Sequence, residues 1–272
     1  MSGPPSRLSL CLVVRDAVAD LRRTLASLEA QLEALRALPA EVVVVDGAST
    51  DGSRQLAEGW LARSGLRTRC LQQAPRGIYP AMNLAWQTAE ADWLLFINAG
   101  DLLLAASPLA EILDGADRDG INSVQCRAAI FPPRCHWAAA PGQRPLSCHQ
   151  SLLYRRELHQ TLGPYDERLG LCADLLLIRA IEAGQHRQAA LLLAATQVSP
   201  GNASRTSRRV REDLRLLQRW RIPLKPWPAP RQTLLVLWVE ERLGVSLSIW
   251  IRVALELPRG TSHLIRLPDG RP

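Results

Sequence analysis

Two apolar runs in this chain end in the same way. Glu41-Val42-Val43-Val44-Val45 leads into Asp46-Gly47-Ala48-Ser49-Thr50-Asp51-Gly52, and Trp93-Leu94-Leu95-Phe96-Ile97 leads into Asn98-Ala99-Gly100-Asp101. A short continuous apolar run closed by turn residues reads as a strand buried on both faces, the kind that parallel sheets contain. Parallel strands require crossover connections, and in open α/β sheets ligands bind beyond the carboxyl ends of the strands. Asp46, Asp51 and Asp101 are therefore predicted to converge on one crevice. Carboxylates gathered there suit a nucleoside diphosphate and a divalent metal.

The rest of the first half alternates in the same sense. Leu8 to Val14 reads as a strand. Val18 to Leu38 reads as one amphipathic helix, with Leu21, Leu25, Leu28, Leu32 and Leu35 at helical spacing. Side-chain oxygens of Ser49, Thr50 and Asp51 are placed to cap a helix running to about Arg63. Thr68 to Gln72 follows as a strand and Ala81 to Ala89 as a helix. The order then changes: Asn122 to Ile130 is predicted as a strand, 131–145 as a proline-rich loop, Ser147 to Tyr154 as a strand, and Arg156 to Leu162 and Asp174 to Ala183 as helices. Beyond about residue 200 the composition shifts to an Arg-rich helical pattern from Ser204 to Arg221, a proline-rich break at 223–230, and an apolar helix from Thr233 to Leu257. The expected division is a catalytic unit over 1–200 and a helical, basic C-terminal extension over 201–272.

Charge and cysteine usage narrow the classes. The net charge of +7 comes almost wholly from Arg, Lys225 being the only lysine, and it favours phosphate-bearing or anionic partners. The six cysteines (11, 70, 126, 135, 148 and 172) show no C-x-x-C spacing, so neither a zinc site nor a disulfide framework is expected. The first apolar stretch runs directly into Arg15-Asp16 and reads as a strand, not a signal peptide. No window approaches the ~20 apolar residues that span a bilayer. A cytoplasmic protein is expected, with peripheral contact to anionic membrane as a further role for the Arg-rich segment and for Trp220, Trp227, Trp238 and Trp250. No nucleic-acid motif supports that segment as a nucleic-acid binder. The first strand lacks a G-x-G-x-x-G after it, and no P-loop is present, which argues against a dinucleotide-dependent oxidoreductase.

Several segments together resemble a known family. Val45-Asp46-Gly47-Ala48-Ser49-Thr50-Asp51-Gly52-Ser53 resembles the nucleotide-binding turn of family 2 glycosyltransferases of the GT-A fold. Gly77-Ile78-Tyr79-Pro80-Ala81-Met82-Asn83 resembles their GIYDAMN segment, and Phe96-Ile97-Asn98-Ala99-Gly100-Asp101 their metal-binding turn. His149-Gln150-Ser151, Gly163-Pro164-Tyr165-Asp166-Glu167 and Ala173-Asp174 follow in the order of the acceptor-side half. The resemblance covers about residues 8–200 and is to the type that assembles cell-surface polysaccharide. It implies a Rossmann-like, mostly parallel α/β sheet flanked by helices. It also implies an inverting transfer from a nucleotide sugar, UDP-linked, to a hydroxyl of a glycan or lipid-linked acceptor. Carried over by position, Asp46, Gly47, Ser49, Asp51, Arg76 and Asn83 serve the nucleotide, Asn98 and Asp101 hold Mg²⁺ or Mn²⁺, His149 lines the acceptor side, and Asp174 is the catalytic base. Hard oxygen ligands plus substrate phosphates are the usual way such a metal is held, and a carboxylate is a suitable acceptor for a sugar hydroxyl proton.

Alternatives remain at this stage. Pro75 and Pro80 replace aspartates usual around the GIYDAMN segment, and Gly100 leaves Asp101 without a neighbouring carboxylate. These departures motivate a second class of reading, a non-catalytic relative that binds a nucleotide sugar or a partner protein. Each site residue also has an ordinary structural role open to it. Asp46, Ser49 and Asp51 suit helix capping, Asp101 suits an N-cap for a helix near Ala106, and Asp174 an N-cap for the helix that follows. His149 suits a satisfied position in a strand.

Overall fold

The computed structural model describes residues 5–131, 137–138, 149–197, 212–213, 216 and 263–264. Strand β1 (Leu8–Val14) lies at the centre, parallel to β2 (Ala40–Asp46) on one side and to β4 (Trp93–Phe96) on the other. β3 (Arg67–Gln72) pairs in parallel outside β2. Every residue of β1, β2 and β4 is buried, as expected of strands covered on both faces.

Alternate residues feed two cores. Leu8, Leu10, Leu12, Val42, Val44, Trp93 and Leu95 face α1 (Val18–Glu29), α2 (Leu32–Ala37), α3 (Ser53–Ser64) and α5 (Leu109–Arg118). Cys11, Val13, Val43, Val45, Leu94 and Phe96 face α4 (Ile78–Thr88) and α7 (Ala173–Glu182). The helix predicted over 18–38 is two helices. Gln31 stands between them, its amide donating to Leu104 O at 3.4 Å and accepting from Ala106 N at 3.0 Å. Both halves keep their leucines in the same core, so the apolar spacing carries no mark of the break.

Past β4 the sheet turns antiparallel. β8 (Leu152–Arg155) pairs with β4 and with β6 (Ser123–Phe131). β9 (His186–Gln197) runs parallel to β6 and antiparallel to β5 (Asp101–Leu103). A short strand, β7 (Trp137–Ala138), links β6 to β10 (His263–Leu264). The strand predicted over 147–154 begins instead with a single 3-10 turn, His149–Ser151. β5 and β9 were not anticipated. Most of the expected proline-rich loop at 131–145 and of the C-terminal extension, including its two helices and tryptophans, lies outside the described residues. Among the described residues no helix is long and apolar enough to cross a membrane.

Helix α6 (Leu158–Leu162) carries a buried histidine that joins the two halves. His159 stacks on Trp86 of α4 at 4.2 Å between ring centroids. Its Nδ1 lies 3.0 Å from Gly163 O and its Nε2 3.0 Å from the Tyr154 hydroxyl. One neutral tautomer satisfies both contacts: Nδ1–H donates to the carbonyl and Nε2 accepts from the hydroxyl. Burial disfavours the charged ring and lowers its pKa to about 4, the Gly163 carbonyl only partly opposing this. The neutral form is therefore favoured by the fold, while the unfolded chain takes up the proton at an ordinary histidine pKa. Stability is expected to fall as pH drops through the window from 6.5 to about 4, by about 3 kcal/mol at its lower end. Urea melts across that window check it, and a His159→Gln variant is expected to lose this part of the slope.

Candidate active site

The site starts with two βα turns tied to each other. The turn after β1 supplies Asp16 and Ala17, and the turn after β2 supplies residues 47–52. Asp16 N donates to Ser49 Oγ at 2.9 Å, Ala17 N to Ser53 Oγ at 3.1 Å, and Val18 N to Asp51 Oδ2 at 2.8 Å. In return Thr50 N donates to Asp16 Oδ1 at 2.8 Å. The expectation that Ser49, Thr50 and Asp51 cap their own helix holds for Asp51 alone, whose Oδ1 accepts from Ser53 N, and is corrected for Ser49 and Thr50. α3 starts after Gly52, which has no side chain to cap it, and the oxygens of Ser49, Asp51 and Ser53 satisfy N–H groups at the start of α1. Asp51 Oδ1 also accepts from Ser53 N and Oγ, and Ser53 Oγ foremost, with the backbone N–H groups of Val18 and Ser53, holds its carboxyl below the usual range against the opposing effect of burial. Its role is to brace the turn.

Asp46 is fully buried at the end of β2. Its Oδ2 accepts from Ser49 N at 3.0 Å, while its Oδ1 has no hydrogen-bond partner among the described residues. A buried carboxylate oxygen left open in this way is costly unless something supplies an N–H or O–H to it. Gly47, next along, lies close against Arg15: a Cβ there would stand 3.1 Å from Arg15 Cβ, so a side chain would require Arg15 to shift.

The second turn follows β4. Ile97 N donates to Cys11 O at 2.9 Å, so the chain leaves β4 alongside the end of β1. Asp101, at 4% exposure, opens β5; it is not an N-cap, since α5 starts only at Leu109. Its Oδ2 accepts from Asn98 N at 2.9 Å, and Thr196 and Gln150 also hydrogen-bond its carboxylate. Burial raises its pKa in spite of those bonds and of nearby His149. Gly100 sits at φ 101°, a conformation that strains any residue with a side chain, and its N–H donates to Thr24 Oγ1 at 2.9 Å. The turn itself thus requires glycine where a second carboxylate is more usual. Pro80 falls in the first turn of α4, where no intrahelical partner is lost.

From Asn98 a line of contacts runs to the acceptor side. Asn98 Nδ2 is 2.9 Å from His149 Nε2, His149 Nδ1 is 3.0 Å from Asp174 Oδ2, and Tyr79 OH donates to Asp174 Oδ1 at 2.8 Å. Asp174 lies in the first turn of α7 but does not cap it, and its side chain keeps 23% exposure. Burial works against its charge, yet His149 and Tyr79 outweigh burial and keep its pKa below the usual carboxylate range. Burial likewise opposes a charged His149, but Asp174 and then Asp101 reverse this and raise its pKa. His149 is therefore in the 3-10 turn between two candidate site residues and not in a strand.

Two predicted residues stand apart from this line. Arg76 is exposed on the loop before α4. Asn83 is buried, with Nδ2 donating to Tyr165 O and Glu167 Oε1 and Oδ1 accepting from Tyr165 N and Trp86 Nε1. That uses its full hydrogen-bonding capacity. It clamps the 165–167 segment and has nothing left for a ligand. Sequence reasoning missed Tyr79 and Thr196. Tyr79 lay inside a quoted segment, but nothing in the sequence signals its contact with Asp174. Thr196 belongs to the unanticipated β9.

With this geometry in place, residues 9–164 match the family model described as Glycosyl transferase family 2. The chain belongs to that family. Within family 2, a PGL/p-HBAD biosynthesis glycosyltransferase of Mycobacterium tuberculosis is 32% identical over 140 residues, covering 49% of this chain and 55% of the relative. A relative of the same description from Mycobacterium bovis matches equally. The chain thus spans about half the length of these curated relatives. Among solved structures, S. aureus TarS 1-349 in complex with UDP-GlcNAc aligns with a TM-score of 0.63 at 17% identity, over 93% of this chain and 78% of that one. Mannosyltransferase PcManGT from Pyrobaculum calidifontis, in complex with GDP-Man and Mn²⁺, aligns at 0.58 and 18% identity, over 94% and 76%. The fold of this family 2 chain is therefore the GT-A arrangement that the resemblance implied.

The donor set of the Asn98–Asp101 turn fits a divalent cation of limited protein ligation. Asp101 is a buried carboxylate, and the Asn98 Oδ1 atom is buried with no partner among the described residues. Among the described residues no group of three His, Cys, Asp or Glu is placed to hold a metal unaided. Such a turn matches the mode in which Mg²⁺ is held by one or two protein oxygens together with substrate phosphates.

Proposed function

We propose that the protein transfers a sugar from a nucleotide-sugar donor, UDP-linked, to a hydroxyl of a glycan or lipid-linked acceptor, with inversion at the anomeric carbon. The observation that carries this reading is the line Asn98–His149–Asp174–Tyr79, which joins the candidate metal turn to an ionised, partly exposed carboxylate. The names of the relatives and the nucleotide sugars held by the structural neighbours support it.

Asp46 Oδ1 is suited to take an N–H or O–H of the nucleoside, in the turn braced by Ser49 and Asp51. Asp101 and Asn98 would hold Mg²⁺ or Mn²⁺, which when bound neutralises charge on the departing diphosphate as a Lewis acid. Asp174 accepts the proton of the acceptor hydroxyl as that oxygen attacks the face opposite the diphosphate. His149 and Tyr79 hold the two carboxylate oxygens in register for that transfer. Contact of the basic C-terminal extension with anionic membrane, at the cytoplasmic face, belongs to the same reading.

Thermal melts with UDP, GDP and CDP, each with and without Mn²⁺, test it. A ligand at ~100 times its dissociation constant adds about 2.7 kcal/mol, a shift of a few degrees. The sparse donor set makes the expected result synergistic: Mn²⁺ alone shifts little, and Mn²⁺ with UDP shifts most. No shift with any nucleotide would favour a non-catalytic relative.

A further inference from the structure

A residue beyond the expected catalytic unit is built into its core. Asp213, at 3% exposure, accepts from Gly170 N at 2.9 Å through Oδ1 and from Leu171 N at 2.6 Å through Oδ2. The Cys172 thiol hydrogen-bonds the same carboxylate; burial first, then the charges of Asp213 and Asp174, push its pKa up and keep it a protonated donor. Three consecutive residues thus close around one side chain. α7 begins at the next residue, Ala173, and Asp174 follows. Leu216, three residues beyond Asp213, packs against the core that contains Tyr79, Tyr165, Cys172 and Leu177. Asp213 is therefore held by polar contacts just before the start of α7, and Leu216 by apolar packing on the core to which α7 contributes.

A buried carboxylate is expensive unless its oxygens are well satisfied, so its place here implies a geometric return. Backbone N–H groups held by an anion cannot rotate away from it without losing a charge-assisted bond. We propose that Asp213 is a positioning residue: by fixing the backbone of 170–172 it sets where Asp174 stands relative to His149, Tyr79 and the acceptor hydroxyl. This rests on the reading of Asp174 as the base. It also extends the catalytic unit across residue 200, to residue 216 at least.

The test compares wild type, Asp213→Asn and Asp213→Ala as full-length proteins. UDP-sugar turnover with water as the acceptor is followed by released UDP. Because misplacement by ~1 Å can cost about 10²-fold, kcat is expected to fall by roughly that factor with donor KM nearly unchanged. Wild-type kcat in Asp213→Asn overturns the proposal, as does an equal collapse of kcat, donor binding and melting temperature. Should the alanine variant not fold, the asparagine variant carries the comparison, since it keeps the volume and one acceptor. A spectroscopic measurement separates this from failure of the functional reading. If wild type turns over no UDP-sugar, the ring ¹⁵N shifts of His149, which touches Asp174, are compared between wild type and Asp213→Asn. A change in them supports the positioning role, and unchanged shifts overturn it.

Discussion

Asp101→Asn is expected to remove turnover while leaving the protein close to wild type in stability. Asparagine keeps an oxygen for the Asn98 N–H now bound at 2.9 Å, so the turn retains its internal bond. What it loses is the charge and one acceptor oxygen, so a donor now supplied by Thr196 or Gln150 must face an N–H₂ group. Burial is the largest influence on Asp101 and raises its pKa, so the folded state disfavours the charged carboxylate relative to water. The sign follows from that direction: the cost is present above the unfolded carboxyl pKa and disappears on neutralisation. Charge stabilisation of a leaving diphosphate is worth several kcal/mol, and about 4 kcal/mol corresponds to a loss of roughly 10³-fold in rate. Melting temperature and kcat measured on the same preparation check both halves. Wild-type turnover in this variant would remove the metal assignment.

That separation of stability from activity follows the way the sequence reads. The parallel half was legible because burial on both faces leaves apolar runs with no alternation, and because each run ends at its turn. Position along the chain was enough to bring Asp46, Asn98 and Asp101 to one edge. Where a residue's contacts depend on a distant partner, legibility failed. Ser49 carries the composition of a helix cap, yet its oxygen serves the turn before α1, and Asp51 divides its two oxygens between Val18 N of α1 and Ser53 N of α3. Asn83 looks like a ligand contact in its segment, but Tyr165 and Glu167, more than eighty residues on, consume its amide.

The antiparallel half was less legible for a related reason. β9 opens on polar residues and continues as small and apolar ones without alternation, so neither strand period marks it, and its register against β6 includes irregularities that no local pattern encodes. Glu41 shows the converse hazard. It is as buried as the site carboxylates, at the other end of β2, and accepts from Ser9 Oγ and from Glu90 and Ala91 N. Both its location and its satisfied oxygen mark it as structural, whereas Asp46 at the carboxyl end keeps one oxygen open.

Asp174→Asn is expected to lower kcat by about 10²–10⁴-fold, the usual worth of a positioned general base. The substitution is nearly isosteric, but asparagine offers one oxygen where Tyr79 OH and His149 Nδ1 now bind two. One of those donors must therefore face an N–H₂ group, and the carboxylate proposed to take the acceptor's proton is gone. In the proposed reading donor binding rests on Asp46, Asp101 and Asn98, none of which hydrogen-bonds Asp174 directly, so the UDP- and Mn²⁺-dependent thermal shift should survive. The two carboxylate variants then give opposite patterns. Asp101→Asn loses both the metal-dependent shift and turnover, whereas Asp174→Asn keeps the shift and loses turnover. An Asp174→Asn enzyme that transfers at the wild-type rate would exclude Asp174 as the base and leave the His149 imidazole, held between Asn98 and position 174, as the next group to test.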